Sequence, residues 1–244
     1  MKKICVTTIS IGINGITRYW ETAKKLVLTN LEHTPFDILL ITDNVSYFDD
    51  IKNDRLKILY YFDLFSEKTI SDSRFNMHLK RYPIQVASEY GYDIIFYNDC
   101  DCFINGWDNE SFLRKCEDDF DVAFVSHANP QLGDLRKNYK HFQDKIDNEF
   151  GDLYYGELDN SPNPAETRVI IKNNEKLKTF LSFWDSISKR NKDYFTYFDS
   201  VYFGTSATHS KMKMIGVTPS DNFSKNCFIS HGDGILNYFG ERLL

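Results

Sequence analysis

The sequence predicts one α/β domain in which helices flank a mostly parallel, twisted sheet. Three observations lead to this prediction. Short apolar segments of strand length alternate with longer segments of helical period, no internal repeat or low-complexity tract interrupts them, and the composition is that of a globular protein. The chain has 244 residues, of which 42% are hydrophobic and 26% are charged. We expect a single domain over residues 1–244, since this length suits one large domain or two small ones.

Four apolar segments in the first 98 residues have the length of buried strands. They are residues 4–11, 36–42, 56–62 and 92–98. Between them, residues 16–31 and 73–90 place apolar side chains at helical spacing. Pro83 lies inside the second helix and predicts a kink or a break there, because proline has no backbone N–H to donate. The resulting order of strands and helices is typical of a parallel sheet.

The second half of the chain has shorter strand candidates and longer helices. The strand candidates are residues 121–126, 167–172, 213–217 and 227–230, and the helix candidates are residues 134–149, 174–190 and 198–206. The helix over 174–190 has the clearest ends, with Asn174 as its N-cap and basic residues in its last turn. Residues 127–165 otherwise lack a clear pattern, and a loop of this length is usually functional or mobile.

Charge, hydropathy and cysteine count argue against several classes of protein. The net charge is −6, so we expect no nucleic-acid partner, because phosphate neutralisation needs clustered Lys and Arg. No run of about 18 apolar residues is present, so we expect no transmembrane segment, and we interpret the N-terminus as a first buried strand rather than a signal peptide. Five cysteines without framework spacing indicate a reducing compartment and predict a cytoplasmic protein.

Two carboxylates follow the strand over residues 92–98. Asp99 and Asp101 are one residue apart, directly after an apolar run, at the end of the strand where ligands bind in open parallel sheets. Two such carboxylates repel each other unless a cation lies between them. Mg²⁺ and Mn²⁺ prefer oxygen ligands and take one or two carboxylates together with substrate phosphates. The pair therefore predicts a divalent-metal site, the alternative being a solvated turn with acidic residues at loop positions.

Three stretches resemble glycosyltransferases of the GT-A fold, most closely glycosyltransferase family six, the family of the histo-blood-group A and B enzymes. They are residues 21–44, residues 73–104, which include the two acids, and residues 197–203. The resemblance implies a nucleotide-sugar-binding, Rossmann-like half over residues 1–104 and an acceptor-binding half over residues 105–244. It also implies transfer of a hexose or N-acetylhexosamine from a UDP-sugar to a glycan or other hydroxyl acceptor, with retention of anomeric configuration.

The resemblance also implies roles for particular residues at the donor end of the site. Asp99 and Asp101 match the acids that bind Mn²⁺ (or Mg²⁺) and the donor diphosphate. Arg74 matches an arginine that contacts the donor. Thr7 and Thr8 match the region at the end of the first strand where the nucleotide base and ribose lie. Lys80 and Arg81 are further cations that could stabilise the diphosphate.

Other matches concern the catalytic carboxylate and a third metal ligand. Asp199 matches the carboxylate near the anomeric carbon, matches the aspartate before it in an alternative register, or caps a helix. Glu157, Asp159 and Glu166 are spare carboxylates that an inverting enzyme could use as a base. His231 resembles the late metal ligand of other GT-A families, or alternatively is a turn histidine.

Departures from the family pattern leave the sugar and the acceptor open. Tyr154-Tyr155-Gly156 lacks the glycines that follow in the family, and Tyr197-Phe198 replaces its Trp-His. Two rival readings stay open: a nucleotidyltransferase or metal phosphohydrolase, which would also use paired acids at a sheet edge, and a non-catalytic sugar-binding GT-A scaffold.

Overall fold

The structure is a computed structural model, and it describes residues 2–12, 18–60, 79–131, 159–190, 199–217, 224–229 and 235–237. The strands are β1 (Ile4–Ser10), β2 (Asp37–Thr42), β3 (Leu56–Tyr60), β4 (Ile94–Asn98), β5 (Cys102–Trp107), β6 (Val122–Gln131), β7 (Pro162–Lys172), β8 (Met214–Gly216), β9 (Ser224–Ile229) and β10 (Ile235–Asn237). The α-helices are α1 (Arg18–His33), α2 (Arg81–Glu89), α3 (Asn109–Glu117), α4 (Glu175–Arg190) and α5 (Asp199–His209), and a short 3₁₀ helix spans Val45–Phe48.

The main sheet has seven strands in the order β3-β2-β1-β4-β7-β6-β8. β7 runs antiparallel to both of its neighbours, while β3, β2, β1 and β4 pair in parallel, as do β6 and β8. A second, antiparallel sheet has three strands in the order β10-β9-β5. The predicted α/β fold with a mostly parallel sheet is therefore confirmed.

The central strands are buried on both faces, which explains why their sequences read as unbroken apolar runs. Every residue of β1 and of β4 is buried. Successive side chains of β4 point to opposite faces. Tyr97 therefore packs in one core cluster with Trp184 of α4, while Phe96 packs in another against Phe112 of α3, with ring centroids 5.6 Å apart.

Helix α2 begins near Pro83. The described part of the predicted helix over residues 73–90 starts at Arg81, and residues 73–78 lie outside the described ranges. Pro83 is thus in the first turn of the described helix, where its missing N–H costs no intrahelical hydrogen bond. Whether the chain is kinked or broken at Pro83 stays a prediction. The helix ends before Gly91, whose φ of 74° is one that glycine adopts at little cost.

The pairing in the second half is more extensive than the sequence predicts. β6 continues to Gln131 and β7 begins at Pro162, so part of the segment that lacks a clear pattern belongs to the sheet. The sequence predicts neither β5 nor α3, although Asp108 accepts a hydrogen bond from the Ser111 backbone N–H and is an ordinary N-cap. The predicted helix over residues 134–149 lies outside the described residues.

Among the described helices, none combines the length and the apolar character that a membrane crossing requires.

A buried carboxylate connects three elements on the side of the main sheet where the parallel strands begin, which is called its amino edge. Asp121, 8% exposed, precedes β6 and accepts hydrogen bonds from Asn174 Nδ2, Lys176 Nζ and the Lys213 backbone N–H, each at 2.6 Å. Burial by itself would raise the pKa of Asp121, but the hydrogen bonds from Lys176, Lys213 and Asn174 outweigh it and lower this pKa. The side chain thereby joins the starts of β6, α4 and β8.

Replacing Asp121 with asparagine should lower the free energy of unfolding by about 2 kcal/mol at pH 7, since hydrogen bonds to a charged group contribute about 1.5–3 kcal/mol each and asparagine keeps part of the geometry. Urea denaturation followed by circular dichroism measures this change. The matched control is Asp119→Asn. Asp119 pairs with Lys213, and its side chain is 92% exposed, so we expect no measurable change in stability.

Wild type and Asp121→Asn should also differ in how their stability responds to acid. Because the pKa of Asp121 is lowered on folding, its contribution to stability is fully present above the unfolded value of about 3.9 and is lost as the pH falls through the folded pKa. The stability difference between wild type and Asp121→Asn should therefore shrink below about pH 4. A difference that stays constant from pH 7 to pH 2 would show that the carboxylate charge is not the cause.

Candidate functional site

The candidate site lies at the carboxyl-terminal ends of the parallel strands of the main sheet. This side of the sheet is called its carboxyl edge. β1, β2 and β4 run in parallel, so the residues after Ser10, Thr42 and Asn98 meet at this edge. Asp99 and Asp101 follow β4 directly. The predicted position of the two acids at the end of a buried strand is thus the position that they occupy.

The two acids lie on a tight turn that carries the chain from one sheet to the other. The Cys102 backbone N–H donates a hydrogen bond of 2.9 Å to the Asp99 carbonyl oxygen. β4 ends at Asn98 in the main sheet, and β5 begins at Cys102 in the small sheet. The turn therefore has two anchored ends, and its position relative to both sheets is determined by their pairing.

The thiols of the turn pack inward. Cys102 is 2% exposed, and Cys100 packs against the cluster formed by α1 and β2. Burial, and next the negative charge of Asp101, raise the pKa of both thiols well above the ordinary value. Both cysteines therefore stay protonated at neutral pH and act as apolar anchors.

Asp99 is held by two donors. Its Oδ2 atom accepts a hydrogen bond from Lys80 Nζ at 2.9 Å, and its Oδ1 atom accepts one from the Tyr97 hydroxyl at 2.6 Å. The Lys80 and Asp99 side chains are each 16% exposed, and Tyr97 is buried in the sheet. Charge-assisted hydrogen bonds of this kind are short and strong, so the orientation of this carboxylate is well defined. The contact places the ammonium group of Lys80 in the candidate site. Its predicted interaction with a diphosphate stays a prediction.

A buried arginine lies behind the turn. Arg168 of β7 is 5% exposed, and its Nε donates a hydrogen bond of 2.8 Å to Asn98 Oδ1. Its guanidinium group lies 5.7 Å from the ring centroid of Phe96. Asn98 Nδ2 is buried and has no hydrogen-bond acceptor among the described residues. The sequence does not predict Arg168 as a site residue, although an arginine inside an apolar strand is unusual and was a usable signal.

Asp43, at the end of β2, organises the neighbouring part of the edge. Its Oδ2 accepts a hydrogen bond from the Gly12 backbone N–H at 3.0 Å, and its Oδ1 accepts one from Trp20 Nε1 at 2.8 Å. Trp20 also contacts Tyr47, with ring centroids 5.8 Å apart. The sequence does not predict this group, because its members come from β2, from the segment after β1 and from α1.

Thr7 and Thr8 lie within the sheet rather than at its edge. β1 continues to Ser10, and both threonines are fully buried. The Thr7 hydroxyl is within hydrogen-bond distance of the carbonyl oxygens of Leu39 and Pro83, at 3.2 and 3.3 Å. It therefore links β1 to β2 and α2, and its contribution to a nucleotide site would be to support the edge.

The remaining predicted cations and ligands divide into two groups. Arg81 is 7% exposed and pairs with Asp185 of α4, so it joins two helices, and none of its hydrogen bonds in the described structure reaches Asp99. Arg74 and His231 lie outside the described residues.

The backbones of Glu166 and Asp199, the two predicted catalytic carboxylates, both lie toward the carboxyl edge of the main sheet. Asn98 pairs with Arg168 in the antiparallel β4–β7 ladder, so Glu166 lies just beyond the last pair. Asp199 is the first residue of α5, which packs against β7. Only residues 210–213 separate α5 from the start of β8, and this start is opposite Val122 at the amino edge, so the helix begins toward the carboxyl edge.

The two carboxylates of the turn are suitable ligands for a hard divalent cation whose coordination shell a substrate would complete. Among the described residues, no three His, Cys, Asp or Glu side chains converge as a self-sufficient metal site. Asp99 and Asp101 offer carboxylate oxygens, the ligand type that Mg²⁺ and Mn²⁺ prefer, and these ions commonly take one or two carboxylates with phosphate oxygens. The chemistry of the two acids is therefore compatible with such an ion.

The sequence matches no protein-family model, and no curated protein matches it. Its fold, however, is similar to that of solved glycosyltransferases. The crystal structure of mouse xyloside xylosyltransferase 1 in its apo form matches with a TM-score of 0.52 and 10% identity over 88% of this chain and 85% of that chain. The apo structure of the bifunctional glycosyltransferase WbbM matches with a TM-score of 0.54 and 9% identity over 88% of this chain and 39% of that chain. The chain therefore has a GT-A-like fold.

Replacing Gly12 with alanine should disturb the group around Asp43. An added Cβ would lie 2.5 Å from Trp20 Cζ2, so the indole must move and its hydrogen bond to Asp43 is strained or lost. We expect a loss of about 1–3 kcal/mol in the free energy of unfolding and a changed tryptophan emission spectrum. Gly216→Ala is the control, since no atom of the described residues lies within 4 Å of an added Cβ there. Equal changes in stability and tryptophan emission in the two variants would contradict the close contact between Gly12 and Trp20.

Proposed function

We propose that this protein is a metal-dependent glycosyltransferase. It transfers a hexose or N-acetylhexosamine from a UDP-sugar to a hydroxyl group of a glycan or other acceptor, with retention of configuration, as in glycosyltransferase family six. The observation that carries the proposal is the position of Asp99 and Asp101 on a turn between two sheets, at the carboxyl edge of the parallel strands of a GT-A-like fold. The fold alone would not support this conclusion, since folds of this class host many functions.

In the proposed mechanism, Asp99 and Asp101 would hold Mn²⁺ or Mg²⁺, and His231 would be a third ligand. When bound, the ion supplies positive charge where the diphosphate leaving group develops negative charge. Lys80 adds a second cation that already contacts Asp99 at 2.9 Å, and Arg74 contacts the donor. Such preorganised charges are usually the largest single contribution to catalysis.

The nucleotide would lie along the ends of β1 and β2. Gly12, Asp43 and Trp20 form this part of the edge. Thr7 and Thr8 are buried beneath it, so their proposed role is to support the strand end that faces the base and the ribose.

Two carboxylates are candidates for the reacting centre. Asp199 would stabilise the cationic sugar or attack it, as a retaining mechanism requires. Glu166 would act as the base if the enzyme inverts configuration instead. The backbone of each lies toward the carboxyl edge of the main sheet, which supports both assignments. The anomeric configuration of the product, measured by NMR, distinguishes them.

A donor-hydrolysis screen tests the proposed function. The protein is incubated with Mn²⁺ and a panel of UDP-, GDP- and CMP-sugars, and nucleotide release is measured by chromatography. We expect release of UDP from one donor, loss of release in EDTA, and a roughly 10²–10³-fold lower rate for Asp101→Asn, because a group that stabilises the transition-state charge is lost. Asp119→Asn, an exposed acid away from the site, is the control and should leave the rate unchanged.

The nucleotide that is released separates the proposal from its rivals. UMP instead of UDP would indicate a phosphohydrolase that cleaves between the phosphates, and would contradict glycosyl transfer. The absence of release from every donor, together with no calorimetric binding of any nucleotide, would also overturn the proposal and favour a non-catalytic scaffold.

A further inference from the structure

We propose that Lys80 is a built-in counter-ion of Asp99 that competes with the divalent cation, so that the cation and the nucleotide diphosphate bind cooperatively. This inference rests on the proposed function of the same site. It assigns to Lys80 a role that is distinct from direct catalysis: the lysine sets how tightly the metal binds before the nucleotide arrives.

The first argument is the contact itself. Lys80 Nζ lies 2.9 Å from Asp99 Oδ2, and both side chains are mostly shielded from water, at 16% exposure each. Lys80 directly precedes α2 and is held by the start of that helix, while Asp99 is held by its turn and by Tyr97 at 2.6 Å. The Lys80 backbone and the Asp99 carboxylate are therefore fixed in place, and the ammonium group occupies Asp99 Oδ2 in the absence of a ligand.

The second argument is electrostatic. A divalent ion bound to a carboxylate oxygen lies about 2.0–2.1 Å from it when the ion has the size of Mg²⁺. An ion on Asp99 Oδ2, the oxygen that Lys80 Nζ contacts at 2.9 Å, would be at most roughly 5 Å from the ammonium group, a separation at which like charges repel strongly in a partly buried site. The other oxygen, Oδ1, already accepts a hydrogen bond of 2.6 Å from the Tyr97 hydroxyl. Lys80 therefore competes with the ion for Oδ2.

The third argument concerns what relieves the conflict. A nucleoside diphosphate brings negative charge to the metal ion that it coordinates. The flexible stem of lysine lets the ammonium group follow such a charge over a few ångströms. Once the diphosphate is present, Lys80 has an anionic partner other than Asp99, and the carboxylate is free to bind the metal. The same lysine thus weakens metal binding alone and strengthens it in the presence of the nucleotide.

The alternative is that Lys80 only anchors the start of α2 to the turn. In that case its removal loosens the turn, and metal affinity falls or stays the same. The two roles predict opposite changes in the affinity for Mn²⁺ alone.

The experiment measures Mn²⁺ affinity by electron paramagnetic resonance of the free ion, with and without UDP. For Lys80→Met we expect Mn²⁺ without UDP to bind more tightly, and the enhancement by UDP to shrink, each by about tenfold, within the range of roughly 5–150-fold typical of coupled sites. Lys80→Arg keeps the charge and should retain the wild-type coupling. Circular dichroism checks that each variant is folded, and Lys80→Gln replaces the methionine variant if that one is not.

Lys213→Met is the matched control. It removes one lysine charge and one ion pair, since Lys213 pairs with Asp119, and this pair lies at the starts of β6 and β8, at the opposite end of the sheet from Asp99. Its Mn²⁺ affinity and coupling should equal those of the wild type.

The outcomes separate this inference from the proposed function. If wild type binds Mn²⁺ and Lys80→Met binds it equally or less tightly, the counter-ion role is overturned while the metal site stands. If wild type binds no Mn²⁺ with or without UDP, the metal site itself is overturned, and the inference fails with it. Tighter Mn²⁺ binding by both Lys80→Met and Lys213→Met would reduce the effect to net charge and would also overturn the specific role of Lys80.

Discussion

The change of sheet between β4 and β5 is the constraint on which the rest of the site depends. β4 is held on one side by β1 and on the other by β7, and β5 is held by β9 in the small sheet. The chain has only residues 99–101 in which to pass between them. Ladders of backbone hydrogen bonds anchor both ends of this turn, so its backbone has little freedom to move. The backbone that carries both carboxylates is therefore fixed in position.

The position of the acids at this turn also explains their neighbours. Cys100 packs against the apolar cluster of α1 and β2, and the buried Cys102 thiol donates a hydrogen bond of 3.8 Å to Asp101 Oδ1. Two cations approach the same region from distant parts of the chain, Lys80 beside Asp99 and Arg168 beside Asn98. Their charges offset the repulsion between the carboxylates in the absence of a metal. The same charges make the site suitable for a polyanionic ligand, so one arrangement serves both stability and the proposed binding.

β7 connects the two halves of the chain that the sequence suggested. It is the antiparallel member of the main sheet, and it brings Arg168 against the last residue of β4. At the opposite edge, Asp121 ties the starts of β6, α4 and β8 together. Polar contacts are therefore present at both ends of strands whose middle is stabilised by burial of apolar side chains.

Local patterns in the sequence determined the parallel strands, the helices α1 and α4 and the placement of the acids, because apolar periodicity reports directly which segments are buried. They also determined that Asp99 and Asp101 follow a buried strand. Only the tertiary structure decided that Lys80, Arg168 and Asp43 belong to the site, that Arg81 pairs with Asp185 instead, and that β5 leaves the main sheet. Arg168 and Asn98 are 70 residues apart in the chain, and their contact depends on strand order and register. A single sequence encodes these features through packing between distant segments, which no local pattern reveals.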